Sequence, residues 1–193
     1  MDGVTRAEIH RRQIDFRGYL RSDGLFEVEG RLTDTKTHDF LLPTGGRTVA
    51  AGDALHDLVV TLVYDRDLIV RDVKTNFISP PYPMCANGGG TLQALIGLHI
   101  GAGWNTEIRR RLPSCETCTH MRELLTPMAT AAFQTASEHR RKQSVPVDNT
   151  GKPRKIDSCY AFSASRELVE ALWPEFHTPP DVTAQGQGED GVR

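Results

Sequence analysis

The stretch LFEVEGRLTDTK, residues 25–36, decides the fold because its apolar and charged side chains alternate. Phe26, Val28 and Leu32 share one face of an extended chain, and the glutamates between them share the other. This period of two is typical of an antiparallel strand with one buried and one solvated face. The segment Ile9–Tyr19 is predicted as its partner strand, so the chain opens with a hairpin.

A second hairpin is predicted in residues 55–64 and 68–77, which are rich in Val, Ile and Thr and flank a short polar connection. Its period and its turn are those of paired antiparallel strands. The sequence therefore predicts a sheet built from the first half of the chain.

The second half of the chain changes character. The stretch SPPYPMCANGGGT, residues 79–91, is rich in Pro and Gly and predicts irregular structure. Helical spacing follows, with Pro127 predicting either two helices that meet at Thr126 or one helix kinked there. Residues 156–162 are predicted as one more short strand.

Strands followed by helices predict an α+β fold, with an antiparallel sheet from the N-terminal half packed against helices from the C-terminal half. We expect a single domain over residues 1–177. Residues 178–193 have almost no large apolar side chains and are predicted to be a disordered tail.

The charge composition limits the classes of partner that are expected. The 193 residues carry 23 Lys and Arg against 25 Asp and Glu, for a net charge of -2. Such a chain lacks the strongly basic character of nucleic-acid-binding proteins, so no nucleic-acid partner is expected. The sequence shows no signal peptide and no membrane-spanning run, which predicts a cytoplasmic protein without a membrane partner. The expected partner is a small-molecule substrate. The sequence leaves the oligomeric state open, a homo-oligomer included.

Four cysteines in a reducing compartment are thiols or metal ligands rather than disulfides. The densest group is Cys115-x-x-Cys118-x-His120-x-x-Glu123, at a predicted helix start where the thiolate of Cys118 is stabilised. With Cys85 and Cys159, Cys118 and His120 would form a three-Cys, one-His set suited to zinc or iron. The alternative is that these cysteines are packed thiols and that His120 only makes a helix-start hydrogen bond.

Four residues are candidates for catalysis. His56 lies on an apolar strand face, where it is either a core residue or a general base or ligand at the floor of a pocket. His10 on the first strand has the same two interpretations. Asp34 and Lys36 end the second strand, where they either pair or face water, and a catalytic role requires a pocket there.

Several segments together resemble one bacterial family, called domain of unknown function 2889. The segments that carry the resemblance are GYLRSDGLFEVEGRLTDTKTHDF, AGDALHDLVVTL, PYPMC, LIGLHIGAGW, CTHMRELLTPMATAAFQT and IDSCYAF. The similarity extends over His10 to Pro174. The family pattern includes His10, Asp34, Lys36, His56, Cys85, Gly97, Trp104, Cys118, His120 and Cys159.

The resemblance implies that Cys115 is particular to this chain. The Cys-x-x-Cys pair is therefore less favoured as a metal site, and the favoured ligands are Cys85, Cys118, His120 and Cys159. Relatives occur in bacteria that degrade aromatic and other apolar compounds. The leading hypothesis is therefore a catabolic enzyme performing a lyase or hydrolase step on an apolar or aromatic organic acid or its thioester. The alternative is a non-catalytic ligand-binding or assembly protein with a structural Cys/His metal site.

Overall fold

Four long strands form one antiparallel sheet in the order β1-β2-β5-β6. The strands are β1 (His10–Leu20), β2 (Phe26–Lys36), β5 (Ala54–Tyr64) and β6 (Val70–Ser79). A small hairpin of β3 (Phe40–Leu41) and β4 (Thr48–Val49) lies between β2 and β5 in the chain. Both predicted hairpins are confirmed, because β1 pairs with β2 and β5 pairs with β6.

The structure is a computed structural model and describes residues 3–43, 47–140 and 145–179. The chain divides into two compact units, Met1–Arg141 and Lys142–Arg193, and each is described by itself. The single domain expected over residues 1–177 stays a prediction. The predicted tail, 178–193, lies outside the described residues except for its first two.

Helices follow the sheet in the first unit. A run of 3₁₀ turns spans Pro83–Leu95, α1 spans Trp104–Arg111, and α2 spans Thr119–Arg140. The fold is thus the predicted α+β arrangement, with the N-terminal sheet packed against C-terminal helices. Within the described residues, we find no helix with the length and apolar character needed to span a bilayer.

The core lies between α2 and one face of the sheet. The alternating residues Phe26, Val28 and Leu32 are at most 1% exposed and face this layer. Gly30 continues their series, since a Cβ there would point into the same layer, 2.9 Å from Cε1 of Phe16 and 3.1 Å from Sδ of Met128 on α2. The buried Tyr64 hydroxyl donates to the Ala132 carbonyl at 3.0 Å, which fixes α2 against β5.

One expectation for the helical half is wrong, and one pair of alternatives is decided. The Pro- and Gly-rich stretch is not wholly irregular, because most of it winds into the 3₁₀ turns of Pro83–Leu95. Of the two arrangements expected at Thr126, the structure has the single helix, and not two helices that meet there. This helix runs through Pro127, which has no N–H to donate to the carbonyl four residues before it.

The second unit has little regular structure in its described part, residues 145–179. It contains a 3₁₀ turn at Tyr160–Phe162, the short helix α3 (Glu167–Leu172) and a 3₁₀ turn at Pro174–Phe176. The strand predicted over residues 156–162 is wrong. Asp157 has a left-handed backbone with φ of 62°, which ends any extended run there.

Candidate functional site

Three neighbouring strands bring polar side chains together at one end of the core face. In the sheet register, Asp34 of β2 lies opposite Arg12 of β1 on one side and opposite His56 of β5 on the other. Residues directly opposite in an antiparallel sheet project to the same face. The alternation that buries Phe26 to Leu32 therefore also buries Asp34, which is 1% exposed.

The Asp34 carboxylate is held by a bidentate ion pair. Arg12 donates from Nε to Oδ1 at 2.8 Å and from Nη2 to Oδ2 at 2.9 Å. His10 Nε2 lies 3.0 Å from the same Oδ1. Burial alone would raise the pKa of Asp34, but the hydrogen bonds and charge of Arg12 outweigh it and hold that pKa below its usual value. Asp34 is therefore a carboxylate at neutral pH.

Arg12 extends this network to the helix layer. Its Nη1 donates to Oε2 of Glu123 in the first turns of α2 at 2.8 Å. One guanidinium is thus shared by two carboxylates, and this three-residue group carries a net charge of -1. An excess of negative charge favours a cation.

Two imidazoles lie beside the carboxylate. His56 and His120, which belongs to the first turn of α2, have ring centroids 4.0 Å apart. Nδ1 of His56 is 3.0 Å from Oδ2 of Asp34. The direction of the contact is not that of a hydrogen bond, so this buried nitrogen has no aligned partner among the described residues.

Both imidazoles are neutral at pH 7. Burial, followed by the proximity of His120, lowers the pKa of His56 to about 4. Burial, followed by the charge of Arg12, also lowers the pKa of His120. Neutral imidazole is the form that binds a metal ion, so neither ring has to lose a proton first.

Asp34, His56 and His120 form a candidate metal-binding arrangement. Each offers one ligand atom, and these atoms all lie within 4.8 Å of one another. Nitrogen and oxygen ligands of a tetrahedral zinc ion lie about 3.4 Å apart, so small side-chain rotations would close the set around an ion. Nδ1 of His56, which lies 3.0 Å from Oδ2 of Asp34 without the alignment of a hydrogen bond, is an atom that such an ion would satisfy.

A pocket of about 570 Å³ opens beside these imidazoles. His56 and His120 form part of its wall, together with apolar side chains of the sheet and of the Pro-rich turn after β6. Cys85, Cys115 and Cys118 also line it. The apolar part of the wall consists of Leu58, Phe77, Pro80, Pro81, Tyr82 and Met84.

The glycines after Cys85 position the thiol side of this pocket. The backbone N–H of Cys118, directly before α2, donates to the Gly88 carbonyl at 3.0 Å. A Cβ on Gly88 would lie 2.8 Å from that nitrogen. Glycine is therefore required for the 3₁₀ turns to approach the start of α2 so closely.

The predicted site residues divide into three groups. In the first group, His10 and His56 both contact the Asp34 carboxylate. In the second group, Cys85, Cys118 and His120 line the pocket, as His56 also does. Lys36 and Cys159 form the third group. The Lys36 ammonium lies over the ring of Phe40, 4.8 Å from its centroid. Cys159 is exposed and belongs to the second unit. The four-ligand set and the catalytic roles of these residues stay predictions.

Arg12 was missed by sequence reasoning. It was part of a basic run, His10-Arg11-Arg12, that is usually interpreted as a solvated face. The available signal was alternation, because Arg12 shares a strand face with Ile14 and Phe16, whereas Arg11 faces away from them.

The fold and the site define an α+β protein with a carboxylate and two imidazoles at the wall of an apolar pocket. The chain belongs to the family described as Protein of unknown function (DUF2889), whose model matches residues 10–134. The match includes His10, Asp34, Lys36, His56, Cys85, Cys118 and His120, and it ends before Cys159. Neither a curated protein nor a solved structure shows significant similarity to the chain.

Proposed function

We propose that this protein is a small metal-dependent enzyme that performs a lyase or hydrolase step on an apolar or aromatic organic acid or its thioester. Asp34, His56 and His120 would hold the ion. The observation that carries the proposal is the convergence of this carboxylate and two neutral imidazoles, one of them with an unpartnered buried nitrogen, at the wall of an apolar pocket.

The ligand set supports zinc or iron. Catalytic zinc sites use three protein ligands and leave a position for water or substrate, and two His with one carboxylate is also a ligand set of non-haem iron(II). Such an ion supplies Lewis acidity and an activated water when bound. The role of the protein's own residues is to orient the ligands. Arg12 and His10 contact the Asp34 carboxylate oxygens and so fix the position of this ligand.

The pocket supports the substrate class. Its apolar wall suits a hydrocarbon or aromatic group, and its volume of about 570 Å³ is within the range of small-molecule sites. The proposal includes a cytoplasmic location, since all four cysteines are free thiols, as in a reducing compartment.

The first test is metal content. Protein purified without chelator is expected to bind about one zinc or iron(II) per chain, and His120→Gln to lower the metal affinity by about tenfold or more. The matched control is His38→Gln, which removes an exposed histidine outside the ligand set. A wild-type protein that binds neither ion would overturn the proposal.

The second test is turnover. Metal-loaded protein is incubated with a panel of aromatic acids and their thioesters, and products are identified by mass spectrometry. Product that depends on both the metal and His120 supports an enzyme.

The alternative is a non-catalytic ligand-binding or assembly protein with a structural Cys/His site, and it is favoured by Cys85 and Cys118 lining the same pocket as His120. Metal retention that depends on these thiols rather than on Asp34, with ligand binding but no turnover, would support that alternative.

A further inference from the structure

The first strand of the sheet has a free outer edge. β1 pairs with β2 on one side, and no segment among the described residues pairs with its other side. All of its residues except Phe16 are exposed to solvent. In an edge strand, a row of backbone N–H and C=O groups has no partner in the sheet, so this edge of β1 is able to pair with a further strand.

The opposite edge of the same sheet is partly covered by the chain itself. The N–H of Val70 on β6 donates to the Leu98 carbonyl at 2.9 Å, and the N–H of Gly97 donates to the Val70 carbonyl at 2.9 Å. Further along β6, the side-chain amide of Gln93 donates to the Val73 carbonyl at 2.6 Å. The segments that follow β6 therefore satisfy part of its edge, whereas β1 stays open.

β1 also lacks the features that commonly prevent an edge strand from pairing. It contains no proline, and its register with β2 is continuous over its whole length, without a bulge. Its charged side chains are paired within the chain. Arg17 lies 3.0 Å from Asp15, Arg11 lies 3.0 Å from Glu8, and Arg12 is engaged in the site described above. These charges therefore do not by themselves repel another strand.

The sequence of β1 is complementary to itself in the antiparallel register centred on Phe16. When two copies of the strand pair about an axis at this residue, Asp15 of each copy lies opposite Arg17 of the other. The same register places Ile14, which is 40% exposed, opposite Gly18 on the core face. An axis at Asp15 or at Arg17 would instead place two like charges opposite each other, which is destabilising.

We infer that two copies of this chain associate through β1, antiparallel and centred on Phe16, so that their two four-stranded sheets join into one continuous sheet. Such an interface uses the same patch of both copies, so each contact between Asp15 and Arg17 is made twice. The partner is a second copy because β1 supplies both members of the charge pair. The inference goes beyond the proposed function, since none of the proposed metal ligands lies on β1. A single strand pair is a small interface, so the association is weak and depends on protein concentration.

The test is sedimentation velocity on the full chain over a range of protein concentrations, where wild type is expected to shift from monomer to dimer as the concentration rises. Asp15→Arg and Arg17→Asp each place like charges opposite each other at two points of the interface. Each is therefore expected to raise the dissociation constant of the dimer at least about tenfold. The matched control is Lys74→Asp, which reverses an exposed charge on β6. It is expected to change the dissociation constant by less than about threefold.

Two further samples test the register itself. The double variant Asp15→Arg/Arg17→Asp restores opposite charges across the interface. An equimolar mixture of the two single variants does the same, because one strand then carries two Arg and the other carries two Asp. Both samples are expected to dimerise with a dissociation constant within about threefold of wild type. Circular dichroism checks that each variant is folded, as expected for exposed positions.

A wild-type protein that stays monomeric up to about 100 µM would overturn the inference. A dimer that persists equally in both single variants would show that the copies associate through another surface. If the single variants are monomeric and neither the double variant nor the mixture dimerises, the register centred on Phe16 is wrong.

Discussion

At the scale of single residues, Arg12 holds the site together because it balances two carboxylates from different elements. Removing it leaves the buried Asp34 with its charge poorly compensated, and Glu123 loses its partner on the sheet. A buried carboxylate without its cation is costly, but the Arg12 side chain is 32% exposed, so solvent screens part of the loss.

We therefore predict that Arg12→Gln lowers the free energy of unfolding by about 1–2 kcal/mol, measured by urea denaturation at pH 7. The matched control is Arg11→Gln, which removes a neighbouring guanidinium on the opposite strand face that is paired with the exposed Glu8. The control is expected to change stability by less than about 0.5 kcal/mol. Equal effects of the two substitutions would contradict the role given to Arg12.

The pH dependence of stability tests the buried imidazole of His56. Its pKa is about 4 in the folded protein and about 6.5 in the unfolded chain, so the unfolded state binds more protons between these values. The stability due to neutral His56 is fully present above pH 6.5 and is lost as the pH falls toward 4. From pH 7 to pH 5 the loss is about 2 kcal/mol for this group alone.

Chelator-stripped protein is the form to measure, because a bound ion would also keep the imidazole neutral. Urea denaturation at pH 7 and pH 5 is expected to show a smaller loss for His56→Gln than for wild type. His120 contributes in the same direction, since its pKa is also lowered, so some loss remains in the variant. An unchanged loss in His56→Gln would show that this ring is not held in its neutral form.

At the scale of elements, alternation made the strands predictable, and with them the face that carries Asp34 and His56. The period of two is a local property, so it is visible in residues 25–36 without knowledge of the fold. What joins these residues to His120 is the packing of α2 on the sheet, which depends on contacts far apart in the chain. For this reason the sequence indicated Asp34, His56 and His120 as candidate site residues but did not show that they are close together. It suggested instead that His120 binds a metal with the cysteines.

The 3₁₀ turns of Pro83–Leu95 were not predictable from a Pro- and Gly-rich stretch, since their geometry depends on packing against β6 and on a close approach to Cys118, the residue directly before α2. Gly88 marks that contact, because a Cβ there would meet the backbone nitrogen of Cys118 at 2.8 Å. Gly88→Ala is therefore predicted to cost about 1–3 kcal/mol of stability and to increase the rate of Cys118 alkylation.

Gly90→Ala is the matched control for Gly88→Ala, since nothing lies within 4 Å of its added Cβ. It is expected to leave both stability and alkylation nearly unchanged. Urea denaturation and mass spectrometry of the alkylated protein supply the two measurements. If Gly88→Ala is as mild as Gly90→Ala, the turns do not depend on this approach.

At the scale of the whole molecule, the large core and the candidate site belong to one unit. Every member of the main hydrophobic cluster lies between Phe26 and Ala136, within Met1–Arg141. The ligand set Asp34, His56 and His120 and its supporting Arg12 lie in the same unit. Since stability depends chiefly on buried apolar area, we expect this unit to fold by itself.

We predict that a fragment ending at Arg141 unfolds cooperatively and binds about one zinc ion with an affinity within about threefold of the full chain, because all three proposed ligands and their core are retained. Thermal unfolding followed by circular dichroism and a zinc titration against a chelating dye measure both properties. A fragment that carries His120→Gln is the control for non-specific zinc binding.

A fragment that folds but loses the zinc site would mean that the second unit supplies a ligand, for which the family resemblance names Cys159. A fragment that does not fold would favour the single domain expected over residues 1–177, since the first unit would then depend on the second.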